Sequence, residues 1–191
     1  MLSCAHPMQN VTNDNFGLLI AYVIPGLIVV WGISYLSPTV AGWLGTVPAN
    51  APTVGGFLYV TIASVAAGML VSALRWLVID TIHHRTGLPP PTWDFGRLRD
   101  QMSPFLTFVE HNYRYYQFYS GTLLSLVFVY GVRRAVLPTT ATGLLADTMI
   151  LILLGALCFV GSRDALRRYY ERVNQLQGSG PAMRAGAIGR Q

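Results

Sequence analysis

Four long apolar runs, near 16–36, 56–78, 115–135 and 144–161, are separated by segments rich in proline, glycine or arginine. Each is about as long as a helix must be to cross the ~30 Å hydrocarbon core of a bilayer. Between Asp14 and Arg75 there is no Asp, Glu, Lys or Arg, a stretch too long to keep free of charge on a water-facing surface. The pattern predicts an all-α integral membrane protein with four transmembrane helices, of which the second, third and fourth extend into the cytoplasm. One four-helix domain takes in residues 1–177, its cytoplasmic hairpin extension residues 79–114, and the small, polar residues 178–191 form a disordered tail.

Local signals refine each run. The first is interrupted by Pro25-Gly26, where a missing backbone donor invites a kink and offers a hinge. The uncharged segment after it carries turn residues and Trp43, and fits an external loop with a short interfacial helix at Val40 to Leu44. The second run starts near Gly56, meets the boundary at Arg75-Trp76 and continues as helix to Gly87, which suits a C′ position. The third starts at Ser103-Pro104, a cap followed by the favoured first-turn residue, and nothing breaks it before Pro138, roughly 50 Å later. The fourth leaves the membrane as SRDALRRYYERVNQ, with Asp164/Arg168 and Arg167/Glu171 at i,i+4 spacing.

Charge placement sets the orientation. Arg75, Arg85, Arg97, Arg99 and Arg114 lie between the second and third runs, and Arg163, Arg167, Arg168, Arg172, Arg184 and Arg190 follow the fourth, against Arg133 and Arg134 alone between the third and fourth. The positive-inside rule puts both termini in the cytoplasm. All thirteen Lys+Arg positions are arginine, which with abundant Ala and Gly points to a GC-rich bacterial genome and hence to a bacterial inner membrane. The amino terminus lacks the positive region and early apolar core of a secretory signal, so the first run is expected to stay in the mature protein.

Composition narrows the partners. Hydrophobic residues make up 52% and charged residues 11%, against roughly a quarter charged in soluble domains. The net charge of +5 sits beside the apolar runs rather than in a separate basic domain, which favours anionic lipid head groups over nucleic acid. Cys4 and Cys158 lack the spacing of a disulfide, and Cys158, inside an apolar run, reads as a small packing residue.

Several groups could carry function. Gly56, Ser64, Gly68 and Ser72 recur at multiples of four, a face that lets another helix approach, within one subunit or between subunits. Asp80, His83 and His84 share one side of the second helix, and Glu110 and His111 stand at a comparable height on the third, a donor set that could seat a divalent metal or an acid/base centre. Ordinary polar residues on helix tips are the simpler reading of all five. Arg114, Tyr115, Tyr116 and Tyr119 at the start of the third span, and Arg163, Arg167 and Arg168 beyond the fourth, are placed for lipid or partner contact, while Phe105, Phe108, Val109, Asn112, Tyr116 and Tyr119 also form an apolar stripe that must bury against the membrane surface, the extension of the fourth span or a partner. Asp147 is the only acidic residue near a membrane interior, and Arg133 and Arg134 at a similar level make an ion pair simpler than an ion path.

Hydrolase elbows, zinc-protease motifs and phosphate-binding loops are absent. The expectation is a non-catalytic helical-bundle subunit that self-associates or joins a larger membrane complex, with pore formation or a membrane-effector role as branches and no cofactor. A membrane enzyme with a metal or acid/base site at the cytoplasmic face is the alternative, and a small transporter acting as an oligomer is a third.

Overall fold

The computed structural model describes residues 17, 19–46, 53–88, 90, 112–138 and 140–178, all helix, turn or short connector with no strand among them. Helix α1 opens with a π turn, Leu19–Val23, and continues as Ile24–Ser34. The cause is Pro25, which has no N–H for the carbonyl of Ala21, and the π turn takes up the change of register just ahead of it. Helix α2, Pro38–Trp43, is the expected interfacial helix, begun two residues earlier because Ser37 caps it and Pro38 fills its first turn. Its Trp43 ring stacks on Tyr59 at 5.2 Å.

Helix α3 spans Val54–Arg75, capped by the Thr53 hydroxyl, which accepts from Gly56 N at 3.0 Å. It runs through a second π turn, Trp76–Asp80, into Thr81–Arg85. The end is a Schellman turn: Gly87 has φ +94°, and Leu88 N donates to the His83 carbonyl at 3.1 Å. Helix α4 is Arg114–Val136 and helix α5 is Ala141–Gly178. The third helix's expected start at Ser103, the connector 89–102, most of the 79–114 hairpin and the 179–191 tail lie outside the described residues or nearly so.

Helix α1 is the wedge of the bundle, packed against both α3 and α4, while α5 packs along α4. The close approach needs two glycines. A Cβ on Gly26 would overlap the Ser64 carbonyl, and one on Gly68 would overlap the Tyr22 carbonyl. On the other flank, the Pro25 ring meets Gly121, and Ser125 Oγ donates to the Pro25 carbonyl at 2.9 Å. Gly56, Ser64 and Gly68 are therefore buried inside the chain, with Ser72 half-buried, and their face joins α3 to α1 and to α2 within the chain. Pro25 and Gly26, both buried, are held between two helices at this point.

Two helices, within Val54–Arg85 and Ala141–Gln175, are long and apolar enough to cross a membrane; Ala21–Ser34 is apolar but shorter. Their outward faces carry Phe57, Ile62 and Leu70 on α3 and Leu145, Leu153 and Leu157 on α5, all more than half exposed. The interior holds apolar residues such as Val30, Val71 and Leu166 together with Ser64, Ser120, Ser125 and Ser162, each nearly or fully buried. Two long apolar helices with outward-facing apolar side chains, and buried hydroxyls where helices meet, suggest a membrane location.

Candidate functional site

The polar side chains converge where α3 outruns its apolar stretch. Arg75 and Asp80 are five residues apart, which in a regular α-helix turns them about 140° from one another. The π turn between them changes this, since its i→i+5 hydrogen bonding stacks a residue over the fifth that follows. Arg75 Nη1 thereby reaches Asp80 Oδ1 at 3.6 Å, with 4% and 15% of the side chains exposed. That is ion-pair range but beyond a hydrogen bond.

Helix α4 completes the cluster. Tyr116, fully buried, donates its phenol hydrogen to Asp80 Oδ1. Arg75 Nη2 donates to Tyr113 OH at 3.5 Å, and the guanidinium carbon lies 5.0 Å from the Tyr116 ring centre and 5.6 Å from that of Tyr113. Two rings, a carboxylate and a phenol thus surround one buried cation, which needs such company away from water. Arg75 Nε has no hydrogen-bond partner among the described residues, so its compensation is ionic and π-type rather than a full donor set.

Beside this cluster, the last turns of α3 are tied to α5. His83, fully buried, has Nε2 3.1 Å from Ser162 Oγ, with the Phe159 and Tyr116 rings 5.2 and 6.0 Å away. Ser162 Oγ also donates to the Phe159 carbonyl at 2.8 Å, which uses its one hydrogen. His83 Nε2 is then the donor to Ser162, and Nδ1 is a buried acceptor with no partner among the described residues. This polarity is the reverse of a histidine that activates a serine, where the ring nitrogen takes the hydroxyl proton. Burial first, and the Arg163 guanidinium second, hold the His83 imidazolium below the usual histidine range, against an opposing pull from Asp80.

Two further ties flank it. Arg163 donates to Thr86 Oγ1 and to the Thr86 carbonyl, both at 2.8 Å, and His84 Nε2 meets Tyr170 OH at 3.1 Å. Tyr169 packs on Tyr113 and, with Tyr170, is pushed up to about 12, mainly by burial, so both phenols stay neutral.

The sequence-derived candidates are distributed as follows. Asp80, His83 and His84 share a helix end but are engaged by Tyr116, Ser162 and Tyr170 respectively, while Glu110 and His111 lie outside the described residues. No group of three His, Cys, Asp or Glu side chains placed to hold a metal occurs among the described residues. Of the two readings of Tyr116, lipid or partner surface and apolar stripe buried on the extension of the fourth span, the structure shows the second, since the α4 face that carries it packs on α5 and on Arg75. Tyr115 is 47% exposed, Tyr119 lies against Gly161, and the Arg114 side chain lies over Gly17. Arg167 and Arg168 form exposed i,i+4 pairs with Glu171 at 2.7 Å and Asp164 at 3.0 Å. Sequence reasoning passed over Arg75, Tyr113 and Ser162 as site members; the signal available was an arginine five residues before an aspartate, legible only to a reader expecting a π turn.

At the opposite end, Arg133 Nε approaches Asp147 Oδ2 at 3.2 Å, beside a Tyr130–Thr148 hydroxyl contact of 2.9 Å. With the arginine 39% exposed, the pair is partly screened by water, and Asp147→Asn is expected to cost no more than about 1 kcal/mol in denaturant titration. A loss above about 3 kcal/mol would assign the carboxylate a buried structural role instead.

No family model matches the chain, and no curated protein or solved structure matches it.

Proposed function

We propose that the protein is a four-span bacterial inner-membrane helical bundle, both termini cytoplasmic, that serves as a non-catalytic subunit of a membrane assembly, with itself or with other membrane proteins. The observation that carries this is the state of α5: of its most apolar stretch only 6% of residues are buried, although it is long enough to span. A helix with one flank on α4 and the rest bare offers the largest surface for lipid or a second subunit. The small-residue face that would otherwise serve association is already occupied by α1. The side chains with chemical potential support the same reading, since Arg75, Asp80, Tyr116, His83 and Ser162 are engaged with one another, all but the partly exposed Asp80 buried.

Native mass spectrometry of the detergent-purified protein, with metal analysis of the same sample, is the test. The expected result is a defined metal-free oligomer, or a stable complex recovered with other membrane proteins. A monomer carrying about one divalent ion, lost on His83→Ala, would replace this reading with a metalloenzyme. Orientation is checked by cysteine labelling in a Cys4→Ser, Cys158→Ser background: Thr46→Cys should react from outside intact cells and Asn174→Cys only after permeabilisation, and the reverse order would overturn the assigned topology.

A further inference from the structure

Side chains at one end of α3 join it to α5. Along its length α5 packs on α4, and among the described residues its polar ties to the end of α3 include His83–Ser162, His84–Tyr170 and Arg163–Thr86. Of these, the His83 contact is the sealed one, and its ring has one nitrogen that donates and one that is buried without a partner among the described residues. We propose that His83 and Ser162 form an acid-sensitive latch that holds the α3 end against α5 at neutral pH and releases it when the imidazole takes a second proton.

The surroundings of the ring make the second proton costly. It would have to enter at Nδ1, where no described group accepts it. On α5 the ring faces Ser162, Phe159 and the cation Arg163, which is itself fixed to Thr86 by two hydrogen bonds. On α4 it faces Tyr116, a neutral phenol already donating to Asp80. On its own helix the charged neighbour is Asp80, engaged by Arg75 and Tyr116, and the titratable one is His84. A buried imidazolium beside a guanidinium, with the one carboxylate shared, is disfavoured relative to the same ring in water.

The sign follows from linkage. The closed form holds the histidine below its usual value, so the open, hydrated form binds the proton more tightly. The latch is therefore fully closed above about pH 6.5, the free-histidine value, and loses stability as pH falls below that toward the closed-state value. Under the proposed orientation the triggering compartment is the cytoplasm; the latch itself does not depend on that reading.

The test is a distance measurement in purified protein. Spin labels at Arg85→Cys and Asn174→Cys, both exposed, are placed in the cysteine-free background and read by pulsed electron resonance between pH 8 and 5.5. A single distance at pH 8 should give way to a second, longer population at pH 5.5 that reverts on neutralisation. In His83→Gln the distribution should no longer change with pH, while His84→Gln should keep the full response. A wild-type distribution that stays constant overturns the latch, as does an unchanged response in His83→Gln. Circular dichroism at each pH confirms that the helices persist, and helix loss at pH 5.5 would also overturn it, because global unfolding is not release. Since labels and protein are in detergent, failure here leaves the topology and subunit tests unaffected.

Discussion

Gly68→Ala should destabilise the bundle by about 3 kcal/mol or more, the upper end of the usual cost of overpacking. The added methyl would overlap the backbone carbonyl of Tyr22, and the Tyr22 carbonyl carbon and Cα also lie within 3.1 Å of its position. A side chain can rotate away from an intruder, but the backbone of a helix cannot without separating α1 from α3. Tyr22 sits in the π turn ahead of Pro25, and Gly26 makes the reciprocal approach to Ser64 one turn later, so any separation is felt at both contacts. The loss should appear as a shifted midpoint in detergent-based unfolding and as lower monodisperse yield. Gly131→Ala is the matched control: no atom lies within 4 Å of its Cβ, and alanine should be neutral or gain up to about 1 kcal/mol from helix propensity. If the two variants differ by less than about 0.5 kcal/mol, the close approach of α1 to α3 is wrong.

Asp80→Asn should cost about 3–5 kcal/mol, because it leaves the Arg75 cation buried with no negative partner. The Tyr113 and Tyr116 rings would remain, yet cation–π contact supplies only about 2 kcal/mol even when desolvated. Tyr116 would also trade a charged acceptor for a neutral one. Arg75→Met should cost less than Asp80→Asn, since the carboxylate is 15% exposed, keeps the Tyr116 hydroxyl and can recruit water. The double variant should be more stable than the sum of the two losses predicts, by about 1–3 kcal/mol, as expected for residues in one contact network. Additive losses in that cycle would mean that Arg75 and Asp80 do not sense one another.

Both predictions depend on features that differ in how far the chain reveals them. Of the helix ends, the close at Gly87 was legible, with the positive φ that the residue permits. The expected starts, at Val40 and near Gly56, fall two residues late, although Ser37 with Pro38 and Thr53 carry the local cap chemistry that begins these helices. The i,i+4 pairs beyond the fourth run were equally readable, because helix geometry alone puts Arg167 against Glu171 and Arg168 against Asp164. The π turns were not, since they answer to a missing donor at Pro25 and to the packing around Arg75, neither of which is an intrinsic preference of the five residues involved.

The same division holds for the candidate site. Residue type marked Asp80, His83 and His84 as chemistry-bearing, but nearness along one helix says nothing of what each side chain meets. Tyr116 fitted both an interfacial belt, because tyrosines gather there, and an apolar stripe with several possible covers; it is interior because that face of α4 is covered by α5, a choice among covers that helical spacing alone does not make.

By itself, the sequence determined the helical, membrane-compatible character of the chain, through long uncharged apolar runs, and the helix end at Gly87, through turn chemistry a few residues long. Tertiary structure decided that the small residues of α3 receive α1 within one chain, that Arg75 is enclosed by Asp80, Tyr113 and Tyr116, and that His83 meets Ser162. The physical reason is range: hydropathy and capping act within a helix, whereas which polar groups share a dry space depends on how helices distant in sequence are brought together.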